Sequence, residues 1–211
     1  TLVSTVWLIS TIPGKEKLEE AKATFGTTLS LFSDKYITSL FLGILFIVGI
    51  DVGLNTTIPK LLMDRTGMAL SEAGLGTSLY FAARTIGSFA GAFLLAKVSA
   101  SRFLKYSMFV AIVAFILLLA VPATWSMFVM IVIVGLACAN VFSIIFSFAL
   151  QHKPERANEI SALMIMGVSG GALITPLMGI VADGFGQVAG LSILLLCILY
   201  ICLISFGIDK K

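Results

Sequence analysis

Charge is what this sequence has least of. Only 12% of its 211 residues are Asp, Glu, Lys or Arg, against about 25% in ordinary globular chains, which excludes a soluble domain. Its three cysteines, Cys138, Cys197 and Cys202, all fall inside apolar runs, with no CxxC or Cys/His spacing. They read as small buried hydrophobes, and no metal site is expected. The single histidine, His152, stands in a polar loop with no partner in view. No nucleophile, metal cluster or carboxylate pair appears either, so the sequence offers no catalytic residue, no cofactor site and no enzyme. The net charge of +3 comes mainly from short loops between apolar runs and carries no nucleic-acid signal.

What the chain has is hydrophobic length. Apolar residues make up 59% of it, mean hydropathy is +1.08, and apolar runs of membrane-crossing length recur along it. The expected fold class is an all-α membrane protein, a six-helix transmembrane bundle in a lipid bilayer. Its spans are Tyr36–Leu62, Ser71–Val98, Phe103–Val121, Trp125–Leu150, Ile160–Ala182 and Val188–Ile208. Ser71 before Glu72, and Asn158 before Glu159, read as helix caps with an acid set against the N-terminal dipole. Pro59 is expected to bend the first span. Thr1–Ile12 reads as the end of a preceding span. Residues 13–35 read as a central loop whose apolar positions Leu18, Ala21, Phe25, Leu29 and Phe32 form one stripe of a surface helix.

Basic residues orient the bundle. Eleven of the fourteen lie in the loops of one side, two (Lys60 and Arg65) on the other, and Arg84 lies inside a span. The positive-inside rule makes the first side cytoplasmic, together with the C-terminus of this multi-pass inner or plasma membrane protein. Spans one to three and four to six each run polar-centred, then acid-capped and glycine-rich, then apolar. A triplet holds an odd number of spans, so the two triplets enter from opposite sides, as in a 3+3 inverted repeat.

Two charged residues lie deep in the spans, Asp51 and Arg84. Asn140 and the Gly170-Gly171 pair fall at the same expected depth, where transporters hold their solutes. Gly49 and Gly53 form a GxxxG packing face. Asp51 lies about 200° around the helix from Gly49, with Asn55 one turn on. Tyr80, Arg84 and Ser88 align at i+4 spacing on span two, near Gly87 and Gly91. On span four Asn140, Ser143 and Ser147 form a stripe flanked by Phe142 and Phe146. Carboxylate and amide groups suit the hydroxyls of a sugar, and aromatic rings suit its apolar face. The candidate solute residues are therefore Asp51, Asn55, Tyr80, Arg84, Asn140 and Ser143. Two readings of Asp51 stand: a solute or proton role, or an ion pair with Arg84. An unpaired Arg84 points to an anionic sugar acid, and Asn140 to solute contact or an interhelical hydrogen bond. The glycines of span five and Pro176 suit either a rocking helix or a tight packing face.

The run from Asn140 to Asp183, with IFSFAL, GGALITPLMG and the closing AD, resembles spans ten and eleven of the major facilitator superfamily. Within it the chain is most similar to the fucose/glucose–galactose:proton symporters, and Arg84–Gly87 (RTIG) looks like that family's eighth helix. The resemblance implies the C-terminal half of a twelve-helix transporter, with an N-terminal six-helix half as partner. It also implies sugar and proton as cargo, and proton-coupling carboxylates in that other half. The loop AKVSASRFLK departs from the superfamily's G-x-x-x-D-R-x-x-R signature in having no aspartate, although Gly91, Arg102 and Lys105 are in place.

Overall fold

A computed structural model describes residues 24–208. The expected span end Thr1–Ile12 and the first part of the central loop lie outside the described residues. The rest of that loop folds as a short helix, α1 (Phe25–Ser30), and a 3-10 turn, Leu31–Ser33.

Span one is α2 (Lys35–Thr66). Asp34 starts it, its carboxylate accepting the N–H groups of Tyr36 at 2.9 Å and Ile37 at 3.4 Å. That satisfies two donors that no helical carbonyl can reach. The helix continues through Pro59 and ends at Gly67, whose φ of +69° is the left-handed conformation that glycine adopts without strain. Span two is α3 (Leu70–Leu95), with extended Ala69 at its cap position and Ser71 already inside the helix. The expected cap at Ser71 is therefore corrected: so soon after Gly67, the chain turns helical at Leu70, before the serine can act. Span three is α4 (Ala100–Ala120).

Span four comes in two pieces, α5 (Thr124–Cys138) and α6 (Val141–His152), interrupted by a turn at Ala139 and Asn140. Span five is also broken. After a 3-10 turn at Pro154–Arg156, α7 (Ala157–Met166) leads through a second 3-10 turn, Gly167–Ser169, into α8 (Gly170–Phe185). Asn158 sits in the first turn of α7 and does not cap it, because the preceding 3-10 turn puts Arg156 at the cap position. Span six is α9 (Gln187–Ile208). Among the described residues, six helical stretches are long and apolar enough to cross a membrane.

Span one is the post around which the bundle is built. Helix α2 packs against α3, α6, α8 and α9, while α5 joins α3 to α4 and α9 joins α4 to α8. The reason lies in its sequence. Ile37, Leu40, Ile44, Ile47, Ile50, Leu54, Ile58 and Leu61 recur every three or four residues, and all are buried. Lipid tails are as apolar as these side chains, so the gain from this packing is van der Waals contact and close backbone approach rather than escape from water. Small residues matter accordingly.

Candidate functional site

Asp51 faces α3. Two side chains one helical turn apart on α3 reach the same carboxylate oxygen. The Tyr80 hydroxyl donates to Asp51 Oδ1 at 2.7 Å, and the Arg84 guanidinium forms an ion pair with that atom. Tyr80 is fully buried, whereas the Asp51 and Arg84 side chains stay 18% and 19% exposed. That distinction matters. A pair sealed in the core would serve packing alone, but this one is held from behind by the tyrosine and open in front.

Exposed polar groups flank the pair. Asn55 lies one turn along α2, and Thr85 and Ser88 lie beside Arg84 on α3. Ser143 and Ser147 on α6 are exposed, and Phe142 and Phe146 stack there with ring centres 5.9 Å apart.

Asn140 is placed differently. It is 7% exposed, and its amide donates to the backbone carbonyl of Gly87 on α3 at 2.8 Å. At Gly91, a Cβ would overlap the Asn140 amide group. The side chain therefore clasps α3 against the break in span four, and the polar stripe drawn from Asn140 to Ser147 splits into an inward amide and two outward hydroxyls. Asn140→Ala is expected to lower stability by about 1 kcal/mol, the scale of an interhelical hydrogen bond in a membrane. A detergent thermal melt reads that loss. Weakened uptake with an unchanged melt would instead make Asn140 a solute contact.

The other small residues sit at helix contacts. Gly49 meets Ile174 of α8, and Gly53 meets Met178 and Leu194; Gly171 meets Val52, and Gly87 meets Ala139 and Leu136. Gly170 is the tightest, since a methyl group there would overlap the Leu45 carbonyl oxygen. Pro176 is exposed on α8. Beside it the Thr175 hydroxyl is buried without a partner, as is that of Thr77.

One cluster escaped the sequence reading. His152, which looked alone, has its Nε2 3.1 Å from Asp34 Oδ2 and its ring 4.5 Å from that of Tyr36. Lys153 Nζ lies 2.7 Å from the same Oδ2. The Lys153 ammonium foremost, then the Ile37, His152 and Tyr36 hydrogen bonds, hold the Asp34 carboxyl well below the usual carboxylate range, against burial, which pushes it up. Arg156 pairs with Glu159 and donates to the Thr27 carbonyl at 2.8 Å and the Ser30 hydroxyl at 3.1 Å. An acid immediately ahead of span one was the available signal. Its partners come from more than a hundred residues away.

Known proteins share this architecture. The E. coli fucose:proton symporter FucP superposes with a TM-score of 0.84 at 18% identity, covering all of this chain and 52% of FucP. A bacterial homolog of the human lysosomal transporter Spinster superposes at 0.61 and 20% identity, covering 99% of this chain and 55% of the other. Both likenesses concern the fold. By sequence, a Helicobacter pylori protein assigned as a glucose/galactose transporter is 27% identical over 182 residues, which is 86% of this chain and 44% of the relative. The glucose/galactose transporter of Brucella abortus is 26% identical over 165 residues, 76% of this chain and 39% of the relative. The chain thus spans less than half the length of these relatives. Residues 2–210 match the family model of the Major Facilitator Superfamily, and this integral membrane chain, a half-bundle of six helices, belongs to that superfamily.

Proposed function

We propose that the chain forms the C-terminal half of a secondary transporter carrying a hexose-like sugar with a proton by alternating access, its C-terminus in the cytoplasm. One observation carries the reading. An intramembrane carboxylate, costly to bury, is held by Arg84 and Tyr80 yet remains partly open beside Asn55 and Ser88. The names of the glucose/galactose and fucose relatives supply the solute class. Because Asp51 neutralises Arg84, the site carries no spare cation, which favours a neutral sugar over a sugar acid. The same pairing fits Asp51 for solute contact or gating and leaves proton uptake to carboxylates of the other half.

The test is uptake of a panel of sugars and sugar acids by the complete protein in vesicles. A gradient worth about 2.3 kcal/mol per 100 mV can tilt accumulation of a proton-coupled solute roughly fortyfold. A neutral hexose is expected to accumulate with the gradient and to equilibrate once a protonophore collapses it. Efflux of amphipathic compounds with no sugar uptake would overturn the reading. So would robust sugar uptake by residues 1–211 alone, since one half supplies one wall of the pathway.

A further inference from the structure

A second site lies at the basic end of the bundle, away from Asp51. There a cavity of about 570 Å³ opens between the start of span one and the loop joining spans four and five. Ser30, Leu31, Ser33, Asp34, Lys35, Lys153 and Arg156 line it. Three cations face one carboxylate, and that carboxylate is already engaged: Asp34 spends Oδ1 on the N–H groups of Tyr36 and Ile37 and Oδ2 on Lys153 and His152. Arg156 is likewise tied to Glu159. Lys35 is exposed and makes no ion pair among the described residues. The cavity therefore offers an ammonium seeking an anion, with the exposed Ser33 beside it as a hydroxyl donor.

The segment that supplies Ser30, Leu31 and Ser33 to the cavity adds a second, independent observation. Phe25, Leu29 and Phe32, spaced four and three residues apart, are all exposed along α1 and the turn after it. An apolar ridge beside a cationic cavity, at the level where span one begins, matches an amphiphile: an anionic head with acyl tails. A free phosphate ion would have no use for the ridge.

We infer that this cavity binds the phosphate headgroup of an anionic membrane lipid, with Lys35, Lys153 and Ser33 on the phosphate and the Phe25–Phe32 ridge along the tails. The lipid then bridges the segment before span one and the loop between spans four and five, which Arg156 already ties together. Basic groups at a membrane surface attract anionic lipid by about 1 kcal/mol each, so removing two weakens binding about thirtyfold.

The experiment uses the complete protein, purified in detergent and exposed to equal amounts of phosphatidylglycerol and phosphatidylcholine, with retained lipid counted by mass spectrometry. Wild type is expected to retain phosphatidylglycerol preferentially. Lys35→Gln/Lys153→Gln should lose that preference, and Lys60→Gln/Arg65→Gln at the opposite end should keep it. Removing Lys153 also releases Asp34, so Lys35→Gln alone, an exposed substitution that breaks no ion pair, is expected to weaken retention about fivefold. The inference falls if wild type shows no preference or if the Lys35 variants keep it. It falls equally if inorganic phosphate at the lipid's own concentration strips the lipid away, which would assign the cavity to the free ion.

Discussion

Neutralising Asp51 and Arg84 together is expected to restore the folded protein that either single change loses, without restoring sugar uptake. Each partner neutralises the other. Asp51→Asn leaves the Arg84 guanidinium in the membrane without its counter-charge. Arg84→Gln leaves the carboxylate with only the Tyr80 hydroxyl. Breaking one side of a buried pair costs about 3–5 kcal/mol, and the partial exposure of both side chains places this pair at the lower end. The double variant Asp51→Asn/Arg84→Gln removes both charges, and Tyr80 can still donate to the amide oxygen. Size-exclusion chromatography and a thermal melt should therefore return close to wild type. Uptake should not return. A hydrogen bond from a sugar hydroxyl to a carboxylate contributes about 1.5–3 kcal/mol, so its loss weakens transport about tenfold to a hundredfold. If the double variant transports normally, Asp51 and Arg84 only hold helices together, and the solute site lies elsewhere.

The second large effect is steric. Gly170→Val should leave little folded protein, because the new side chain meets a backbone carbonyl, that of Leu45, which cannot swing aside as a side chain could. Overpacking a core costs typically about 1–3 kcal/mol and more where the obstacle is rigid. Gly179, on the same helix, has nothing within 4 Å of an added Cβ. Gly179→Val should thus behave as wild type in the same melt. Equal tolerance of both substitutions would mean that α2 and α8 do not approach as closely as described.

The architecture was legible because membrane spans are written in length. All six expected spans overlap helices whose ends differ by only a few residues, as in Tyr36–Leu62 against Lys35–Thr66. Asp51 and Arg84 were legible because charges are rare inside apolar spans, and their pairing was one of the two roles the sequence left open for Asp51. Tyr80 stood out through its i+4 spacing from Arg84. What the sequence hid were partners without a signature. Asn140 bonds a backbone carbonyl 53 positions away, and a carbonyl looks the same at every residue. His152 finds Asp34 across 118 positions, a pairing that no local period encodes. The helix starts at Leu70 and Ala157 were missed for a different reason. Ser71 and Asn158 are good caps, but the chain is already helical at Leu70 and Ala157, before it reaches them.

The second 3-10 turn of span five sets how that helix seats on span one. It falls at Gly167–Ser169, and a methyl group at Gly167 or at the adjoining Gly170 would run into Ile44 or Leu45. Further on, Gly171, Ile174 and Met178 of α8 meet Val52, Gly49 and Gly53 of span one, and Ala182 lies against Gly190 of α9. The break therefore does not free α8 to swing. It bends the chain where Gly170 must approach the Leu45 carbonyl, and the 16-residue rod beyond it, about 24 Å long, stays seated along most of its length.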